Sequence, residues 1–310
     1  MSNFVEHNSI ETNFSNADNW IILSSVDANI KKKIEEKGVA LKDWNIDIYR
    51  GILTGFNEAF IVSESVKNEL ISADPKSAEL IRPILRGRDI GRYTYRFSNL
   101  WLLYIPWHFP LHQDEIAGAS KKAEMEFEKQ YPAIYNHLTK YKKQLSSRNK
   151  EETGIRYEWY ALQRWGAKYK DDFFEQKIMY NDISQRLSFT LVPENVFCVN
   201  TVYFIKNNAH IKYLLACLNS PIIDWYYRTL SVQLGEKAVR MFSIYVEKIP
   251  IPVINLDQEK EINNLIDSLH KTTLDSDKER LEKEINNSVC NLYGLTEEEY
   301  LYILDKYQRL

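Results

Sequence analysis

The chain has 310 residues, enough for one large domain or two smaller ones, and 44% of them are hydrophobic, enough for a sizeable core. A net charge of −3 argues against a simple nucleic-acid coat, and no apolar run approaches the length of a membrane span. Three widely spaced cysteines, Cys198, Cys217 and Cys290, lack any Cys-x-x-Cys spacing, so no clustered-thiolate zinc site is expected and buried reduced thiols are.

Residues 1–18 are polar and aperiodic and read as a linker or disordered lead. They carry neither a basic n-region nor an apolar h-region, so the expected location is cytoplasmic. Asp27 is the expected N-cap of a helix through Lys37, with Gly38 as its C′ residue. Ile46–Arg50 and Ala59–Val62 read as strands around a Thr54-Gly55 turn. Ser65–Ile71 is a short helix, and Asp74-Pro75 opens another. Leu85–Ile90 is a glycine-bearing turn, and Leu100–Ile105 a strand closed by Pro106. After an aromatic loop from Trp107 to Gly118, helices are expected over Ala119–Gln130 and Pro132–Leu145.

Lys140, Lys142, Lys143, Arg148 and Lys150 form a basic cluster that also suits a helix C-terminus. Lys177–Asp182, Ser188–Leu191 and Thr201–Ile205 are strand-like. Ile211–Leu218 is an apolar helix, broken at Asn219-Ser220-Pro221 and restarted toward Tyr227. Glu247–Pro252 is extended. Apolar residues at Ile262, Leu265, Ile266, Leu269 and again at Leu281, Ile285, Val289, Leu292 predict a helical hairpin. Thr296 caps a last helix. The expected fold is α/β of the mixed α+β kind: a mixed or mainly antiparallel sheet with flanking helices over residues 19–254, then a C-terminal helical segment over 255–310.

Charge is unevenly distributed. Residues 255–310 hold 13 acids and 7 bases, a net −6, so the rest carries +3. Arg82, Arg86, Arg88, Arg92 and Arg96 crowd one turn, with Asp89 the only acid among them. Arginine bonds guanine through two donors, and Asn or Gln bonds adenine likewise. Turns and strand ends supply such groups at Thr54 and Asn57, at Arg86, Arg88 and Arg92, at Gln163 and Arg164, at Gln185 and Arg186, and at Lys237 and Arg240. These are the candidate DNA contacts.

A resemblance points the same way. The strings GILTGFNEAFIV, DPKSAELIRPILRGRDI, WLLYIP, YPAIYNHL, LLACLNSPIIDWYY and EKIPIP occur in that order between residues 51 and 252. The chain thereby resembles, over roughly residues 19 to 254, the TaqI-like C-terminal specificity domain of type IIG restriction-modification proteins. The resemblance implies a target-recognition module for double-stranded DNA. It also implies a partner domain, in cis or in trans, that methylates adenine and cuts DNA. S-adenosylmethionine and Mg²⁺ are expected for those catalytic domains, and no cofactor or metal for this chain.

The sequence has no glycine-rich cofactor loop, no Asn/Asp-Pro-Pro-aromatic turn, no P-loop and no GxSxG. Catalysis is therefore expected elsewhere, with this chain a fragment or a separate specificity unit. Two rival readings stand. Asp172, Glu175 and Lys177 resemble part of a metal nuclease centre, although the Asp lies too near the Glu-x-Lys. Alternatively, the tryptophans and C-terminal helices dock a protein partner without DNA contact. His108 and His112 are four apart, but Pro110 between them and the lack of a third ligand argue against a metal.

Overall fold

The computed structural model describes residues 23–112, 116–148, 156–207, 209–231, 233–235 and 237–310. The lead expected over residues 1–18 lies outside them. In chain order, helix α1 (Ser25–Lys37) leads into strand β1 (Gly38–Ala40). Then come β2 (Asp47–Arg50), the single turn α2 (Asn57–Phe60), β3 (Ile61–Ser63), α3 (Glu64–Ala73), β4 (Ile81–Leu85) and β5 (Leu100–Leu103). Helices α4 (Lys121–Gln130), α5 (Pro132–Thr139) and α6 (Lys142–Ser146) follow. Strands β6 (Lys177–Asn181), β7 (Ile183–Ser184), β8 (Phe189–Val192), β9 (Phe197–Cys198) and β10 (Val202–Lys206) come next. The chain continues through α7 (Ile211–Leu218), α8 (Pro221–Arg228), β11 (Gln233–Leu234), β12 (Ala238–Arg240), α9 (Ser243–Val246) and β13 (Pro250–Pro252). It closes with α10 (Leu256–Lys271), α11 (Asp275–Tyr293) and α12 (Glu297–Gln308).

This is a mixed α+β fold whose strand pairs are mainly antiparallel, with β4 and β9 parallel. Two compact units divide it. A central unit comprises Ile48–Asp182 and Phe189–Lys206; a terminal unit comprises the chain up to Asp47, Ile183–Ser188 and Asn207–Leu310.

The central unit holds two four-stranded sheets, ordered β2-β10-β6-β8 and β3-β5-β4-β9. Strands β6 and β10 are buried at consecutive positions, Lys177–Tyr180 and Val202–Ile205, as in strands covered on both faces. Phe173 links the two sheets, stacking on Phe197 of β9 at 4.7 Å and lying 4.9 Å from Phe204 of β10, and Phe127 on α4 stacks on Tyr160 at 4.5 Å.

The terminal unit is built on α7 and α8, whose residues Tyr213–Leu218 and Pro221–Tyr227 are all buried. A helix apolar all round needs cover on every side. Helices α10 and α11 pack on α7, and α12 packs on α8. Most of each expected stripe is buried, Ile262, Ile266 and Leu269 on α10 and Leu281, Ile285 and Val289 on α11, while Leu265 and Leu292 are half-buried at the margins. Thr296 caps α12 in a reciprocal box with Glu299. Two small sheets, β1-β13 and β11-β12-β7, complete the unit.

Several local expectations are corrected. The cap of α1 is Ser24, whose hydroxyl accepts from the Asp27 amide at 3.1 Å; Asp27 instead meets Lys306 at 2.7 Å. Gly38 is extended (φ −100°), not left-handed; an added Cβ would lie 2.4 Å from the Pro250 Cβ, so the position needs close approach. Ala59 and Phe60 belong to a helical turn and not to a strand: the Ile61 amide bonds back to the Asn57 carbonyl, and pairing with β5 begins only at Ile61. The helix expected over Pro132–Leu145 breaks after Thr139 and restarts at Lys142.

Candidate nucleic-acid interface

In the central unit, backbone pairing gathers loops that are far apart in sequence. Leu85 pairs with Cys198 in parallel, and Ile52 bridges Val199 in parallel. The segments 52–53, 198–199 and 84–85 therefore lie side by side and run the same way. Their C-terminal ends emerge at one edge. Thr54 leaves from the first and Arg86 from the third, separated by two strand spacings, about 10 Å. On the other flank Leu53 and Arg164 exchange both backbone hydrogen bonds, at 3.0 and 2.9 Å. This antiparallel bridge sets Gln163 beside Thr54.

The candidate side chains at this edge differ in freedom. Thr54 is buried, and its hydroxyl donates to Oδ1 of exposed Asn57 at 2.6 Å. That bond leaves the Asn57 amide donors directed elsewhere. Gly55 has φ +77°, and an added Cβ would lie 2.5 Å from Oε1 of buried Gln163. Arg164 is exposed.

In the arginine turn, Asp89 is buried and accepts from the Arg86 backbone N–H at 2.8 Å and from its Nε and Nη2 at 3.1 Å each. Ser98 adds a fourth bond at 2.7 Å. Burial raises the Asp89 carboxyl, but the hydrogen bonds from Arg86 and Ser98 outweigh it and hold its pKa below the usual carboxylate range. Arg86 thus shapes the turn, while Arg88 at its tip is exposed. Arg92 lies over the Tyr93 ring at 5.0 Å. Arg82 turns back to the carbonyls of Ala78, Glu79 and Ile81.

The other candidates belong to the terminal unit, where β7 pairs with β12 and β12 with β11. Exposed Gln185 and Arg186 follow β7 directly. The Arg186 guanidinium sits 4.8 Å over the Tyr307 ring, and Lys237 Nζ donates to the Arg309 carbonyl at 3.1 Å. Arg240 lies over Phe242 at 5.6 Å, and its carbonyl accepts from Tyr227 at 2.6 Å. A buried pair anchors both loops. Arg228 Nε donates to Asp224 at 2.7 Å, and its remaining N–H groups donate to the carbonyls of Lys237 and Gln185. The second Asp224 oxygen accepts from the Leu187 amide at 2.6 Å. The four-residue spacing of Asp224 and Arg228 is a helix-pair signal in the sequence, but their bonds to the two loops are not readable from it.

The nuclease reading is corrected here. Asp172 pairs with Lys206, and Lys177 is fully buried with its amine bonded to the carbonyls of Phe173 and Glu175. Burial lowers the Lys177 pKa to about 8. With its donors turned inward, Lys177 does not join Asp172 and Glu175 in a shared metal or water site. His108 bonds Glu158 at 2.9 Å and His112 is exposed. Among the described residues, no group of three or more His, Cys, Asp or Glu is placed to hold a metal ion. No described helix is long and apolar enough to cross a membrane.

Comparison with known proteins follows the same line. A type II methyltransferase of Methanocaldococcus jannaschii, M.MjaIV, is 24% identical over 242 residues, 76% of this chain and 75% of that protein. Among solved structures, the type IIL restriction-modification enzyme MmeI in complex with DNA is similar over 85% of this chain, with a TM-score of 0.56 and 15% identity. The type IIG restriction endonuclease BpuSI is similar over 87%, with a TM-score of 0.47 and 12% identity. The chain spans about a third of each of those two, 35% and 34%. Residues 82–251, more than half of the chain, match the TaqI-like C-terminal specificity domain, and the chain belongs to that family.

Proposed function

We propose that this chain reads the target sequence in double-stranded DNA for a type II adenine methyltransferase and endonuclease whose catalytic domain acts with it in cis or in trans. The observation that supports this best is the shared edge of the central unit. Three parallel segments end together there beside the antiparallel Gln163–Arg164 segment, and between them they carry Thr54, Asn57, Arg86, Arg88, Gln163 and Arg164 within reach of a few base pairs. Exposed Arg88 and Arg164 have the donor fork for guanine, and Asn57 the donor–acceptor pair for adenine. Gln185, Arg186, Lys237 and Arg240 serve as backbone contacts, since three of these four are already engaged by neighbours and keep only part of their donor capacity.

S-adenosylmethionine and Mg²⁺ are assigned to the catalytic domain, because the sequence lacks the cofactor loop and the Pro-Pro turn. Selection from a randomised duplex pool tests the recognition reading. The chain should enrich a defined motif, and Arg164→Ala should lose preference at one position of it. Enrichment of no motif by the parent chain overturns the reading. Calorimetry tests the cofactor assignment: micromolar S-adenosylmethionine binding by this chain would refute it.

A further inference from the structure

Arg148 lies at the end of α6, in a run that reads as a basic surface cluster. The structure gives its guanidinium a different place. Nη1 donates to the Thr54 carbonyl at 2.5 Å, and Nη2 to the carbonyls of Trp159 and Ala161 at 2.7 and 2.8 Å. Nε donates to the Leu145 carbonyl at 3.1 Å, tying the group back to its own helix. No carboxylate pairs with it among the described residues. The Phe60 and Tyr157 rings lie 5.4 and 5.7 Å from its central carbon. A phosphate contact needs free N–H groups at the surface, and here four of the five are spent on main chain.

The acceptors are informative. Thr54 begins the first loop of the candidate edge. Trp159 and Ala161 lead directly into Gln163 and Arg164 on the second. These two segments are joined by the Leu53–Arg164 bridge and by this guanidinium. A planar fork with several fixed donors can hold two chains in register; an ammonium with three converging donors cannot span them.

We infer that Arg148 is a positioning residue for sequence readout: it locks the Thr54–Asn57 loop against the Gln163–Arg164 segment and so fixes where Arg164 and Asn57 meet the bases. This rests on the recognition reading above and adds a residue that touches no DNA.

The test is a selection from a randomised duplex pool, followed by titration of the enriched duplex and of a scrambled duplex of equal length. Arg148→Lys should fold like the parent by circular dichroism and lose about 10-fold in affinity for the enriched duplex, the size of one lost base contact. Affinity for the scrambled duplex and its salt slope should not change, because no phosphate contact is removed. In a double-mutant cycle, Arg148→Lys with Arg164→Ala should lose little more than either alone. Arg148→Gln gives a second route: its amide can donate to one of the two segments but has no guanidinium fork to bridge them. It should show the same loss of preference, and it carries the test if Arg148→Lys fails to fold. Two results would overturn the inference alone: a parent with a clear motif and variants that keep it, or strictly additive losses. A parent that enriches no sequence overturns the recognition reading and this inference together.

Discussion

Arg86 and Arg88 lie two residues apart and have different work. Arg86 neutralises Asp89, whose side chain is only 3% exposed, and together they hold the turn closed. Arg88 projects from it. Arg86→Ala should therefore cost about 2 kcal/mol of stability, since it strands a buried carboxylate; a denaturant titration measures this. Arg88→Ala should leave stability within about 0.5 kcal/mol. Instead it should weaken binding of the enriched duplex by about 1–3 kcal/mol. Equal stability losses in the two variants would show that both arginines are structural. Lys177 makes a separate prediction at this scale. Its folded pKa is lowered to about 8 by burial, against about 10.4 in an unfolded chain. Below pH 8 both states hold the proton and the folded state bears the full desolvation cost. Between pH 8 and 10 the unfolded state binds more protons, so stability rises with pH. The buried thiols Cys198, Cys217 and Cys290, which burial holds above their usual range, ionise first in the unfolded chain and oppose this gain over the same window, so the test is a difference: between pH 7 and 9.5 Lys177→Met should lose more stability than the parent. The window stops there because burial holds tyrosines such as Tyr131 and Tyr160 above their usual range, and they lower stability again at higher pH.

At the scale of elements, loops are anchored by buried groups that bond main chain. The Asp224–Arg228 pair holds the Gln185–Leu187 loop and the Lys237 end of the β11–β12 hairpin at once. Its side chains are 2% and 13% exposed. Removing Arg228 leaves a buried carboxylate alone, and Arg228→Ala should cost about 3 kcal/mol. Hydrogen exchange at the Leu187 and Ala238 amides should accelerate with it. Unchanged exchange at both would show that the loops are held by other means. Such anchors explain what was legible in sequence and what was not. Strands β6 and β10 announce themselves through consecutive β-branched and aromatic residues, and the stripes of α10 and α11 through spacings of three and four. The arginine turn is visible as composition. Which of its arginines faces inward is not, because that depends on Ser98 and on a backbone amide. Arg148 is invisible because its acceptors are carbonyls, which every residue has; Arg228 shows its spacing to Asp224 but not the two loop carbonyls that it also holds. The α2 turn misleads because Ala59 and Phe60 suit a strand by type, while the turn is made by a backbone bond from Ile61 to Asn57.

At the scale of the molecule, neither unit is a continuous stretch of chain. The terminal unit joins residues before Asp47 to those after Asn207, and Gly38 opposite Pro252 closes that circuit in β1–β13. A division read from composition near residue 254 cannot foresee this, since the join is made by backbone pairing across more than two hundred residues. The C-terminal helices are part of the same unit. His210 bonds Glu259 at 2.9 Å, Lys212 meets Asp267 at 2.7 Å, and the buried Tyr293 hydroxyl donates to the Pro250 carbonyl at 2.6 Å. With α10–α12 removed, α7 and α8 would expose apolar faces that are now fully covered, at roughly 1.5–3 kcal/mol for each large side chain. That exceeds the stability of a typical domain within a few residues. Truncation after Leu256 should therefore unfold the terminal unit, with loss of exchange protection across Ile211–Tyr227. Far-ultraviolet dichroism should fall by more than the deleted helices account for. A truncated chain that keeps protection in α7 and α8, and merely fails to associate with a catalytic domain, would show that the C-terminal helices are a docking element and not a part of this core.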